Sequence, residues 1–311
     1  MTMTLSLLLA SLFTFVELNC ENLFDCRHDS LKQDTEFMPD GQRHWTATRY
    51  WGKLNRIGQE LLSCSEELPD VVALCEVEND TVMRDLTRRS LLRNAGYEYL
   101  MSESDDVRGI DVALLYQPAT FRPICYETFS VPTVKGMRPT RDLLYVKGEA
   151  RTGDTLHIVV VHAPSRYGGE RLTRPYRMLV ARRVTQVCDS IRDRAAQALV
   201  LVAGDFNDPA ASPALRHVTG NCGLQLITDG VKGRHGTPGN YRHDGEWQQL
   251  DHVLLSPSLH SHLQEAYIND EPFLLEEDKR YGGQKPRRTF VGYRHQKGFS
   301  DHLPVVVQFR F

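Results

Sequence analysis

Apolar runs along this chain end, repeatedly, on a polar residue. Leu199–Ala203 is five consecutive apolar residues, followed by Gly204, Asp205 and Asn207. An unbroken run of that length predicts a strand buried on both faces. Residues two apart on an extended chain point to the same side, so Asp205 and Asn207 are presented together at its end. An Asx-turn is the alternative reading of the same residues, because Asp208-Pro209 follows. The pattern recurs where Leu12–Asn19 enters Asn19-Cys20-Glu21, where Val71–Leu74 enters Cys75-Glu76, and where Leu156–His162 stops on its histidine. Leu250–Ser256 carries Asp251-His252, and Ser300-Asp301-His302 stands just before the strand Pro304–Phe309.

Other stretches have helical spacing. Trp51, Leu54, Ile57, Leu61 and Leu62 predict a helix capped by Thr46 or Thr48. Asn79 or Asp80 opens a second through Met83, Leu86, Leu91 and Leu92, stopping near Gly96. Pro175 begins a third through Met178, Ala181, Val184, Val187 and Ile191. Tyr97–Met101, Asp111–Tyr116, Phe121–Thr128 and Leu143–Ala150 read as further strands, punctuated by Gly, Pro and charge. Helices separated by groups of strands predict a mixed α/β fold of two packed sheets with helices outside.

Composition narrows this only a little. The chain has 311 residues, with 37 Lys plus Arg against 40 Asp plus Glu. A net charge of −3 excludes a globally basic nucleic-acid binder, though not a local patch. Seven cysteines without a C-x-x-C pair point to buried free thiols, not to a disulfide framework or a zinc site. Leu5–Val16 is too short for a membrane span and has no Lys or Arg before it. We expect one domain over residues 12–311 and an N-terminal extension over 1–11, where a remnant of an export signal would lie. A cytoplasmic location is favoured, with export to the periplasm the alternative; a monomer is expected.

Strand ends on the same edge of a sheet converge in space. The residue types gathered here are Glu, Asp, Asn and His, a mix that suits a hard cation such as Mg²⁺ or Mn²⁺. The segments NCENLFD (19–25), PDVVALCEVEN (69–79), RGIDVALLY (108–116), VVVHAPSR (159–166), LVAGDFND (201–208), LDHVLLS (250–256) and SDHLPV (300–305) stand in that order. In that order the chain resembles bacterial members of the endonuclease/exonuclease/phosphatase superfamily, the fold of pancreatic-type DNase and of AP endonucleases. The resemblance runs from about Phe13 to Phe311. It implies a four-layer α/β-sandwich and a metal-dependent phosphoesterase.

What the resemblance implies can be placed residue by residue. Glu76 matches the metal-binding Glu, Asn19 and Glu21 match the Asn-x-acid pair beside the metal, and Asp301 matches a further acid of the metal shell. Asp205 matches the residue that orients or deprotonates the attacking water, and Asn207 the amide that holds the phosphate. His302 would touch the scissile phosphate with Asp251 holding its tautomer. His162 would protonate the leaving oxygen or stabilise the charge on phosphorus. His252 is expected to point away from Asp251 and serve packing.

Among the basic residues, Arg166 is the first choice for a phosphate contact and Arg108 the second. Arg171, Arg174 and Arg177 are expected in solvent. Lys279–Lys297 holds seven Lys or Arg with Tyr281, Phe290 and Tyr293, and reads as a solvated loop, with a grip on a polyanion as its alternative. Trp247 and Gln249, in YRHDGEWQQL (241–250), are expected to line the cleft. The expected reaction is in-line attack of water on a phosphodiester of nucleic acid. A small or lipid phosphate is the second substrate class, and a non-catalytic binding module the rival of a different kind.

Overall fold

The computed structural model describes residues 12–311; the extension 1–11 and its export-signal reading lie outside the described residues. In chain order the elements begin with β1 (Phe13–Leu23), α1 (Ala47–Leu62), β2 (Val71–Val77), α2 (Asp80–Arg88), β3 (Glu98–Met101) and β4 (Asp111–Tyr116). Then come β5 (Phe121–Phe129), β6 (Leu143–Ala150), β7 (Thr155–His162), α3 (Glu170–Arg194), β8 (Leu199–Asp205), α4 (Pro213–Cys222) and β9 (Gln225–Leu226). The chain closes with β10 (Tyr241–His243), β11 (Glu246–Gln248), β12 (Asp251–Leu255), α5 (Pro257–His260), β13 (Leu263–Ile268), β14 (Leu275–Glu277), β15 (Gln284–Pro286), β16 (Phe290–Val291), β17 (Arg294–His295) and β18 (Val305–Phe309).

Two six-stranded mixed sheets, ordered β13-β18-β1-β2-β4-β3 and β5-β6-β7-β8-β12-β9, stack face to face. Alternation along each apolar run explains the stacking. On β2, Val71, Ala73 and Cys75 pack toward the second sheet, whereas Val72 and Leu74 pack under α1 and α2. On β8, Leu201 and Ala203 face the first sheet, whereas Val200 and Val202 meet Val180 and Val184 of α3. Each run is apolar throughout because both of its faces are covered. The result is the expected four-layer α/β-sandwich. No helix among the described residues is long and apolar enough to cross a membrane.

Three expectations are corrected in detail. The second helix stops at Arg88, before Leu91 and Leu92. The Ser90 hydroxyl donates to the Leu86 carbonyl and accepts the Leu92 N–H, so the chain restarts as the 3-10 turn Leu91–Asn94. The third helix starts at Glu170, five residues before Pro175. Its first turn is held by Leu172 and Thr173 N–H on the Gly169 carbonyl and by Arg174 on Glu170 at 2.7 Å. Nor is Arg177 in solvent: it is buried, with Nε 2.8 Å from Asp208 Oδ1.

The basic stretch 279–297 is not a plain solvated loop either. It holds β15, β16 and β17, buries Phe290, and turns Arg288 inward toward two acids. Of the acids before it, Glu276 pairs with Lys285 at 3.5 Å.

Candidate active site

Three neighbouring strands of the second sheet deliver three side chains in one row. His162 on β7 is in register with Asp205 on β8, and Asp205 with Asp251 on β12. Each continues the face of its strand that packs between the sheets, as Val160, Ala203 and Val253 do. From the opposite sheet, Asn19 continues the same inter-sheet face of β1 that Phe15 occupies. The site therefore lies where the gap between the two sheets opens at its edge.

Glu76 is out of phase with this rule. Period two would send it to the helix side, with Val72 and Leu74. A bulge between Cys75 and Val77 in the β2–β4 pairing, with Glu76 at φ 63°, re-aims its carboxylate into the cleft. Asn207 also sits in the left-handed region, at φ 51°, as do Glu21 and Asn22 at 50° and 58°. Non-glycine residues held there cost on the order of 1–3 kcal/mol each and concentrate at functional sites. Gly204 is required for a related reason. At φ 143°, a Cβ on it would lie 1.8 Å from the Val161 carbonyl oxygen.

Hydrogen bonds lock the row. The Asn19 Nδ2–H donates to Asp205 Oδ2 at 3.0 Å, while its Oδ1 accepts the Glu21 N–H at 2.9 Å. Asn207 donates to Asp205 twice, from its backbone at 2.7 Å and from Nδ2 at 3.0 Å. Burial, then the neighbouring Asp251 charge, pushes the Asp205 carboxyl up to about 7. His162 Nε2 faces Glu76 at 3.8 Å and Asp205 at 3.7 Å, and its buried Nδ1 has no partner. Burial, with Arg141, Arg108 and His302 nearby, holds this imidazole well below its ordinary range, so it is neutral.

His302 has the opposite character. Burial works against its charge, but Asp251, 2.5 Å from Nδ1, outweighs burial and keeps the imidazole charged well above its ordinary range. Tyr241 packs on its ring at 4.7 Å between centroids. Asp301 is part-buried, and desolvation alone would raise its pKa; Arg288 at 2.7 Å and His302 more than offset this and lower it.

A cleft of about 540 Å³ joins these groups. Asn19, Glu76, Asp205, Asn207, Asp301 and His302 line it, and Arg166 reaches across it to the Gln248 side chain. Glu21 is not on its wall: its buried carboxylate takes the Thr289 and Phe290 N–H groups at 2.5 and 3.0 Å. Burial, then Asp301, pushes that carboxyl up to about 7. Arg108 stands behind the wall, 3.7 Å from Glu76 and hydrogen-bonded to the Asn22 side chain.

Trp247 and Gln249 do not line the cleft. The β10–β11 hairpin alternates, so Tyr241, His243 and Gln248 face it, and Trp247 packs on the apolar cluster around Phe299 and Leu303. His252 is turned away from the site, between Thr228 Oγ1 and the Asp208 carbonyl, each at 2.9 Å, as its strand position predicts. Arg288 and Asn240, which donates to Asp251, carry no motif that marks them in the sequence.

The donor set fits a hard divalent cation. Glu76 and Asp301 offer carboxylates to the cleft beside the Asn19 amide, all oxygen donors. A second group, Asp205, Asp251 and His302, has ligand atoms that all lie within 4.8 Å of one another and could also hold an ion. Arg288 faces Asp301 at 2.7 Å and Arg108 faces Glu76 at 3.7 Å, so each of these two carboxylates has a cationic neighbour.

Comparison with known proteins agrees with this architecture. No curated protein matches the chain by sequence. Among solved structures, an endonuclease/exonuclease/phosphatase family protein from Bacteroides thetaiotaomicron superposes with TM-score 0.63 at 14% identity, over 96% of this chain and 97% of that one. The mannosyl-6-phosphatase of Bacteroides thetaiotaomicron VPI-5482 does so with TM-score 0.65 at 15% identity, over 96% and 100%. D. rerio TDP2 complexed with single strand DNA product gives 0.59 at 16%, over 97% and 100%. At such identities the likeness is one of fold. The model of the endonuclease/exonuclease/phosphatase family matches residues 14–310 of the sequence, and the chain belongs to that family, whose members are hydrolases of phosphoester bonds.

Proposed function

We propose that this chain is a divalent-cation-dependent phosphoesterase that cleaves by in-line attack of water. The observation that carries the reading is the row His162–Asp205–Asp251, faced by Asn19 and completed by the charged His302. Glu76, Asp301 and Asn19 would hold Mg²⁺ or Mn²⁺, with Arg288 balancing the acids. When bound, the cation supplies positive charge against the phosphoryl oxygens.

The protein's own groups supply the rest. Asp205 is buried, fixed by three donors, and raised toward neutrality, which suits a group that orients and takes a proton from water. The Asn207 amide and the His302 imidazolium meet the non-bridging phosphate oxygens, where negative charge builds up. Asp251 fixes the His302 tautomer and compensates its charge. His162 is neutral, so it acts as a hydrogen-bond donor from Nε2 to the leaving oxygen or the phosphoryl group.

A phosphodiester of nucleic acid is the first reading of the substrate. Tyr167, Tyr241 and His243 on the cleft wall offer flat faces on which bases can stack. A small phosphate ester is the second. The cleft volume is that of a small-molecule pocket, and among the described residues Arg166 is the one arginine on its wall, against Glu76, Glu170, Asp205 and Asp301.

Hydrolysis of bis-p-nitrophenyl phosphate, single-stranded DNA, RNA and sugar phosphates, each with Mg²⁺, Mn²⁺ or excess EDTA, tests both parts. Full activity in EDTA overturns cation dependence. Cleavage of sugar phosphates with none of nucleic acid selects the second substrate class.

A further inference from the structure

The arginines that stand around the cleft are matched with acids: Arg108 with Glu76 at 3.7 Å, Arg141 with Asp106 at 3.1 Å, and Arg288 with Asp301 at 2.7 Å. Arg166, on the cleft wall, is different. Among the described residues its guanidinium pairs with no carboxylate, and its hydrogen bond goes to the neutral Gln248 side chain. Two acids within reach of its field, Glu170 and Asp208, are taken by other arginines, Arg174 at 2.7 Å and Arg177 at 2.8 Å. The Arg166 charge is thus left for a ligand.

Its position is fixed from both sides. The Gly169 N–H closes a turn on the Arg166 carbonyl at 3.0 Å, and the buried Arg177 donates to the Ser165 carbonyl at 3.4 Å. Gln248 belongs to the β10–β11 hairpin, whose register pairs it with Tyr241. On its other edge Tyr241 is bridged antiparallel to His302. His302, Tyr241 and Gln248 therefore stand side by side, and all three line the cleft. The backbones of the outer two are two strand spacings apart, roughly 10 Å. Arg242, between Tyr241 and His243, ties the hairpin to the carbonyls of Gly282, at 2.7 Å, and Gln284.

We propose, on the phosphoesterase reading above, that Arg166 held by Gln248 is an anion subsite for a second, non-reacting phosphate of the substrate. In that reading His302, Asn207 and a cation meet the reacting phosphate, and the charge beyond Tyr241 serves a different group. A guanidinium carries five N–H donors in a planar fork. Gln248 takes one and leaves the others for a phosphate, which such a fork meets bidentately. The same row assigns the spacer between the two phosphates. Tyr241 lies between His302 and Gln248, and an aromatic ring is a surface on which a nucleoside stacks. The preferred substrate is therefore a phosphodiester with another phosphate one nucleoside away, as at the internal bonds of a nucleic-acid strand. An ester without a second phosphate leaves the guanidinium unused.

Calorimetric titration of the full chain in EDTA measures the subsite apart from turnover, so an inactive protein and a missing subsite give different results. The ligands are thymidine 3′,5′-bisphosphate, the two thymidine monophosphates and a hexose bisphosphate, all at one ionic strength. The wild-type chain is expected to bind the nucleoside bisphosphate ~10–100-fold more tightly than either monophosphate, the range for hydrogen bonds to charged groups. Arg166→Gln is expected to bind all three nucleotides alike. Arg174→Gln removes an exposed arginine of the same segment and is expected to keep the preference. Equal affinities in the wild type overturn the subsite. So does a preference that survives in Arg166→Gln, or one that Arg174→Gln abolishes as well. A hexose bisphosphate that binds as tightly as the nucleoside bisphosphate overturns the nucleoside as spacer. The wild-type comparison decides the matter even if a variant folds poorly.

Discussion

His302 Nδ1 donates to Asp251 Oδ2 over 2.5 Å, and Asp251 itself is anchored by the Asn240 side chain. The carboxylate thus holds a charged, buried imidazole in one tautomer with its other nitrogen free for the cleft. Asp251→Asn keeps the shape but loses the charge that favours this state, and His302→Ala removes the ring. Each is expected to lower turnover of bis-p-nitrophenyl phosphate by ~10²–10⁴-fold. Steady-state kinetics with saturating Mn²⁺ would show it. A loss under about tenfold, against that expected range, means that the pair does not act on the phosphate.

Beneath Asp251 lies a residue that apolar patterning would not place there. Glu17 is wholly buried on β1, facing the second sheet, and burial, then the charges of Asp251 and Asp205, raises its carboxyl well above the ordinary range. Glu17 Oε2 and Asp251 Oδ1 are both buried with no hydrogen-bond partner. A buried carboxyl beside two further acids favours its protonated form, so Glu17 serves as a neutral donor that can supply a proton to the unpaired Asp251 oxygen. Glu17→Gln retains a donor and is expected to stay active. Glu17→Leu leaves an oxygen of Asp251 unpaired and should cost ~1–3 kcal/mol of stability, with a fall in kcat/KM. Urea denaturation and kinetics on both variants check this; equal damage in the two would show that hydrogen bonding is not what Glu17 contributes.

Arg288 bridges Asp301 and Glu21, at 2.7 and 3.6 Å. If Asp301 is a cation ligand, the guanidinium and the cation compete for its charge. Arg288→Met is then expected to bind Mn²⁺ several-fold more tightly by calorimetry, while KM for an anionic substrate rises. Unchanged Mn²⁺ affinity would remove Asp301 from the cation's surroundings.

These three cases show what was legible in the sequence and what was not. The row of His162, Asp205 and Asp251 could be read because each residue ends or begins an apolar run, and pairing of buried strands brings such ends together. Glu76 could be found by resemblance only. Alternation alone sends it to the wrong face, and the bulge that corrects it depends on how β4 pairs with β2. Glu21 looks like its neighbour Asn19 in the motif. Left-handed dihedrals at 21 and 22 nonetheless turn its carboxylate to the Thr289–Phe290 backbone. Arg288 was hidden among seven basic residues, because only the fold of residues 275–299 decides which one turns inward. Arg177 was misjudged because its partner Asp208 lies 31 positions away.

Gly204 offers a test of the strand packing that presents Asp205. A methyl group there would meet the Val161 carbonyl oxygen, which is fixed in the β7–β8 ladder and cannot retreat. The backbone at φ 143° adds strain for any side chain. Gly204→Ala is expected to cost on the order of 3 kcal/mol or more. Equilibrium urea unfolding measures it. A loss below about 1 kcal/mol, typical of an ordinary substitution, would show that β7 and β8 separate more easily than their register implies.

His157 links stability to pH at a place remote from the cleft. It lies on β7, half-buried, with Tyr145 Oη 2.8 Å from its Nδ1. Burial, then the Lys147 charge, pushes its pKa down from 6.5 to about 4. Between those values the unfolded chain binds a proton that the folded chain does not. The histidine's contribution is therefore fully present above pH 6.5 and is lost progressively as the pH falls toward 4. His157→Gln keeps a polar partner for Tyr145 and cannot take up the proton. Carboxylates elsewhere titrate in the same range, so the difference between the two proteins is the quantity to measure. The melting temperature of the variant should fall less than that of the wild type between pH 7 and pH 4.5. Parallel melting curves across that interval would mean that the folded protein accepts the proton at His157 as readily as the unfolded chain does, with the Tyr145 contact giving way to admit it.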